Sequence, residues 1–160
     1  MHARAAGAEP VRGTWQQLVN CAFTHYDPTT RAMGCEGSTL WSGTWNGITH
    51  YHVEGTYDPL TGDSSGTLHE TFYGADRGGR HGTMTFTERY TLVGATSTIH
   101  IDTRMTDATG GFAGARGALS FDGTDNILTG RGTYSGEWTP PPTTRADGPR
   151  GQDDRPLARA

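Results

Sequence analysis

Between Thr83 and Leu92 apolar and polar residues alternate without a break. Met84, Phe86, Glu88, Tyr90 and Leu92 share one parity, and Thr83, Thr85, Thr87, Arg89 and Thr91 the other. A repeat of two sends successive side chains to opposite faces of a pleated strand, so this segment buries one face and wets the other but offers no helical stripe. Weaker versions of the pattern recur along the chain, and 24 glycines among 160 residues punctuate them with turns. Eight strands are predicted, at 14–26, 32–45, 48–57, 64–73, 83–92, 95–105, 115–121 and 127–138, with no helical periodicity between them. Antiparallel strands of this length on short turns close most economically into a barrel, which leaves no sheet edge unpaired. The expected fold is all-β: a single eight-stranded antiparallel up-and-down β-barrel over residues 13–138, with a two-sheet sandwich as the alternative. Residues 1–12 and the Pro/Arg/Asp-rich stretch 139–160 are expected to be disordered tails.

Asn46-Gly47 is the strongest short hairpin signal, because both residues tolerate the positive φ of a type I′ turn. A two-residue turn there pairs Trp45 with Ile48, Gly43 with His50, Trp41 with His52 and Thr39 with Glu54. Trp41, Trp45, His50, His52 and Glu54 then share a face, and Thr49, Tyr51 and Val53 lie on the other. Trp15, Val19, Cys21, Phe23, Met33 and Cys35 align with the tryptophans, which makes the tryptophan face the interior. On this register His50, His52 and Glu54 face a lumen where burial tunes their chemistry.

Glu88 stands between Phe86 and Tyr90 on the strand with the cleanest inner face, where desolvation favours the uncharged acid; it is the first candidate for a catalytic group. Glu70 repeats the apolar-x-Glu-x-apolar pattern one strand earlier and is the candidate partner in an acid/base pair. A register that pairs His52 with His69 turns His69 inward and Glu70 outward instead, so the luminal face of this strand stays open. That register also sets His50, His52 and His69 together as an alternative metal site, although the spacing lacks the glutamate and the second motif of a cupin. Trp41, Trp45 and Phe86 are candidate pocket walls, and His50, Tyr51 and Tyr90 candidate hydrogen-bonding groups to a substrate. His100, Asp102 and Arg104 alternate with Ile99, Ile101 and Met105 and belong on a solvated outer face.

The glycine-rich hairpin from Thr109 to Phe121, with Phe112 preceding Gly114 and Gly117 in a Gly-x-x-Gly pair, resembles that of the barrel superfamily containing allene oxide cyclases and dirigent proteins. It also resembles a little-characterised bacterial family of the same barrel shape. The resemblance extends from Ser38 to Trp138 as a rhythm of glycine-broken strands. It implies an eight-stranded barrel whose lumen binds a hydrophobic small molecule and, in several relatives, steers ring closure or coupling without a cofactor. No catalytic residue carries over from the plant enzymes, since no motif outside this hairpin aligns.

Thirteen basic residues, all arginine, against 17 acidic ones give a net charge of −4 with no basic stripe, which argues against a nucleic-acid partner. No apolar run has the length of a membrane span, and residues 1–12 lack the apolar core of a secretory signal, so a cytoplasmic location is expected. In that compartment Cys21 and Cys35, which flank a turn near Asp27-Pro28, read as two buried thiols rather than a disulfide. The expected function is a cofactor-independent cyclase or isomerase of natural-product metabolism. It would fold an apolar, polyfunctional substrate in the lumen while Glu88, with His52 or Glu54, moves protons. The rival readings are a lipocalin-like carrier and a metal-dependent barrel enzyme, and the state of oligomerisation is left open.

Overall fold

The computed structural model describes residues 7–125 and 130–142. Eight strands, β1 (Glu9–Tyr26), β2 (Ala32–Gly43), β3 (Trp45–Tyr57), β4 (Ser64–Asp76), β5 (His81–Val93), β6 (Thr98–Ala108), β7 (Arg116–Asp125) and β8 (Gly130–Thr139), pair antiparallel in chain order. β8 returns to β1, so the sheet closes into the expected barrel. A one-turn 3₁₀ helix, Gly110–Phe112, lies between β6 and β7. Among the described residues no helix is long and apolar enough to cross a membrane.

β1 starts earlier than expected. Glu9 to Arg12, assigned from sequence to a loose tail, pair with Trp138 to Ser135, and Val11 is only 1% exposed. Closure supplies the reason: the last strand needs a partner along its whole length, and this polar, aperiodic segment provides it through its backbone. Residues 95–97 belong to a turn rather than to β6, and the expected start of β8 at 127–129 lies outside the described residues, as do the ends of both tails.

The β2–β3 register corrects the hairpin. The chain turns at Gly43-Thr44, not at Asn46-Gly47, and Trp41 pairs with Gly47 instead of His52. Gly43 takes φ +132°, a conformation that L side chains rarely adopt. Asn46 stands just past the turn and braces it: its Oδ1 accepts from Gly43 N at 3.2 Å and its Nδ2 donates to Gly43 O at 3.3 Å. Gly47 is needed for space, since a Cβ there would sit 2.2 Å from the Tyr73 carbonyl oxygen. Displacing a register by an odd number of residues exchanges the faces of a strand. Thr49, Tyr51 and Val53 are therefore buried in the lumen, while His50, His52 and Glu54 lie outside.

β1 carries register shifts between Gln17 and Val19, Val19 and Ala22, and Phe23 and His25. These bulges break its alternation and leave Val19 and Phe23 more than half exposed, contrary to the inward face expected for them. They also bring Cys21 within a Cα separation of 5.2 Å of Cys35, and the two form a disulfide where free thiols were expected.

One end of the barrel is plugged. Phe112 from the 3₁₀ turn is fully buried and packs against Phe72 and Trp138. The Arg80 guanidinium lies 5.3 Å over the Trp138 ring and holds Asp76 at 2.7 Å. Above the plug Trp41 stacks on Trp45 and meets Phe86, Phe121 and Tyr134, filling half the lumen.

Candidate functional site

A cavity of about 410 Å³ occupies the other half of the barrel. Its walls are mainly aromatic and aliphatic, with Trp15, Trp41, Tyr51, Leu68 and Tyr90 facing it from different strands. Phe23 and Tyr57, 5.7 Å apart between ring centroids, stand at the mouth beside the disulfide. The size and predominantly apolar lining suit one small molecule.

Glu70 lies on the cavity floor and is 5% exposed; Glu88, from the neighbouring strand, is 1% exposed. The two come together because β4 pairs Leu68 with Glu88 and Glu70 with Phe86, so their inward side chains are diagonal neighbours. The His52–His69 pairing considered from sequence is the one formed. Because the face of β3 is reversed as well, it directs Glu70 inward and His69 outward.

A chain of donors leads to Glu70. Trp41 Nε1 donates to Thr39 Oγ1 at 3.0 Å, Thr39 and Thr49 hydroxyls lie 2.5 Å apart, and Thr49 donates to Glu70 Oε1, which Thr39 also reaches at 3.2 Å. Thr103 donates to Glu88 Oε1 at 2.8 Å. Glu88 Oε2 is buried and, as a carboxylate oxygen, has no partner among the described residues.

Burial pushes both acids above the ordinary carboxylate range. For Glu70 the hydrogen bonds from Thr49, Glu88 and Thr39 oppose that shift, whereas for Glu88 the neighbouring charge of Glu70 reinforces it and leaves it well above. The lower-cost arrangement has Glu88 protonated and donating to Glu70, which gives the orphaned oxygen its hydrogen bond. Tyr51 and Tyr90 are also raised by burial. Gln17 Nε2 donates to the Tyr51 hydroxyl, and the Tyr90 hydroxyl lies 2.8 Å from Ser64 Oγ.

The remaining sequence candidates divide by face. Trp41 and Tyr51 line the cavity; Trp45 and Phe86 are fully buried in the packed half. His52 and Glu54, expected to assist Glu88, bond to each other at 2.9 Å on the outer surface, so they share no space with it. His50 packs outside against the Tyr73 ring. His50, His52 and His69 do border one shallow outer depression, but among the described residues no group of three or more His, Cys, Asp or Glu is placed to hold a metal ion. Thr39, Thr49 and Thr103 were missed from sequence; inward threonines sharing parity with apolar residues were the available signal. The chain matches no family model and no curated protein sequence.

Proposed function

We propose that the protein is a cofactor-independent enzyme, a cyclase or isomerase, that holds an apolar small molecule in the barrel and acts on it with the Glu70–Glu88 pair. The observation that carries this reading is a pair of buried, hydrogen-bonded acids, of which Glu70 lines the floor of a mainly apolar cavity and Glu88 packs against it from the neighbouring strand. A carrier needs apolar walls and gains nothing from two buried carboxyls, whose desolvation costs stability. Glu88 serves as the proton reservoir and Glu70 as the group that meets the substrate, while Tyr90 and Tyr51 offer hydroxyls to substrate oxygens. Positioned acid/base groups of this kind contribute about 10²- to 10⁴-fold, and the walls add orientation by confining a flexible substrate. Likeness to the allene oxide cyclase and dirigent barrels in the glycine-rich hairpin supports the same reading. The disulfide favours an oxidising compartment over the cytoplasm.

The test is conversion of a panel of apolar epoxides and polyenes by the full chain, with binding followed in parallel by calorimetry. Glu88→Gln keeps the shape of the side chain and removes its acid; it should bind as the wild type does and turn over about a hundredfold more slowly. Tight binding without conversion of any bound compound by the wild type would instead identify a carrier.

A further inference from the structure

The wall opposite the carboxyl pair holds a second polar patch that this chemistry does not use. Trp15, Gln17 and Asp125 line the cavity there, at registers that set Trp15 opposite Gly132 and Asp125 opposite Gly130. The two β8 glycines make the room: a Cβ on Gly130 would lie 2.8 Å from Asp125 Oδ1 and 3.3 Å from Gln17 Oε1, and one on Gly132 2.7 Å from Trp15 Nε1. Gln17 Nε2 is engaged by Tyr51 and by Val19 O at 3.0 Å. The other two groups are not so engaged. Trp15 is 5% exposed, and among the described residues its Nε1–H has no acceptor and no side chain donates to the Asp125 carboxyl. Burial alone raises Asp125 to about 6, which leaves it mostly ionised at pH 7.5. Among the described residues no arginine or histidine lines the cavity.

We propose that the cavity selects amphiphilic cations: apolar molecules bearing a protonated amine, seated with the ammonium on Asp125 and the apolar body against Trp15, Trp41 and Tyr51. A neighbouring ligand oxygen would accept from Trp15 Nε1–H. An anionic ligand meets Asp125 and the Glu70–Glu88 pair with nothing to neutralise it. A neutral ligand leaves Asp125 half-buried and unpaired, whereas an ammonium ion satisfies it by a charge-assisted hydrogen bond beside aromatic faces. The inference rests on the reading of this cavity as a ligand site.

Three probes of like size separate the two: 2-(2-naphthyl)ethylamine, 2-(2-naphthyl)ethanol and 3-(2-naphthyl)propanoate, titrated into the full chain at pH 7.5 by calorimetry. The amine should bind at least about tenfold more tightly than the alcohol, and the carboxylate most weakly. Asp125→Asn should abolish the preference and bind the alcohol at least as tightly as the wild type does, which also shows that the variant folds. Equal affinity for amine and alcohol in the wild type, or an amine preference that survives in Asp125→Asn, would overturn the proposal while the cavity reading stands. Binding of none of the three would remove both.

Discussion

Two of the barrel's sets of carboxyl groups with polar neighbours, one inside and one outside, have different fates. Outside, Glu36, His52, Glu54 and His25 form a ladder with separations of 3.4, 2.9 and 3.4 Å, on side chains 40–65% exposed. Inside, Glu70 and Glu88 meet threonine hydroxyls in a space that water barely reaches. The outer pairs exchange one solvated partner for another, so they contribute little. The inner acids have lost their hydration, and retaining a proton is the cheaper response. Hydrogen-bond partners alone do not make a reactive carboxyl; the loss of solvent does.

The largest expected effect comes from dismantling the packed half beneath the inner pair. Trp41→Ala removes an indole that contacts Trp45, Phe72, Phe86, Phe121 and Tyr134 and donates to Thr39. Urea denaturation should show a loss of about 3–5 kcal/mol. A loss under about 1 kcal/mol would mean that the lumen is not close-packed and the desolvation argument fails with it.

A middle-sized effect distinguishes the inner acids by pH. Burial and the neighbouring Glu70 charge make the folded protein hold the Glu88 proton at pH values where the unfolded chain has released it, so the folded state binds more protons. Stability therefore falls as pH rises from the unfolded pKa toward the folded one. Glu88→Gln should flatten this decline and match or exceed the wild type near pH 8, measured by thermal melts across about pH 4–8. Parallel profiles for the two proteins would show that Glu88 is not held protonated.

The smallest effect belongs to the outer ladder. His52→Gln should change stability by less than about 1 kcal/mol, with any change diminishing in high salt. A larger loss in the same denaturation assay would mean that the ladder behaves as a desolvated network, and the contrast between the two faces would disappear.

Much of the fold was legible because strands 5 and 6 are locally unambiguous. Met84 through Leu92 alternate as expected, and His100, Asp102 and Arg104 lie outside while Ile99 and Met105 are buried. Glu88, Trp41 and Tyr90 were legible as inward-facing, whereas the expected register put Tyr51 outside and left the direction of Glu70 open. Asn46-Gly47 has the local chemistry of a turn, yet Gly43 accepts the strained φ and Gly47 is required where β3 approaches β4 too closely for a Cβ. That choice depends on a tertiary neighbour, which local pattern does not contain. It reversed the expected faces of residues 48–57 and so misplaced the histidines. The bulges of β1 are similar, because curvature needed to close a barrel is a property of the whole sheet.

Among the described residues the Phe112 plug closes one end of the barrel, which leaves the mouth beside the disulfide as the way into the cavity. Whatever enters must advance leading end first, and that end meets the Glu70 floor while the trailing end remains beside the disulfide and the rim aromatics. A molecule too long to tumble inside keeps the polarity with which it arrived and must back out the way it came. Under the proposed enzymatic reading, regiochemistry is decided at the threshold, and departure of the product, rather than the bond-making step, becomes the natural bottleneck of a turnover.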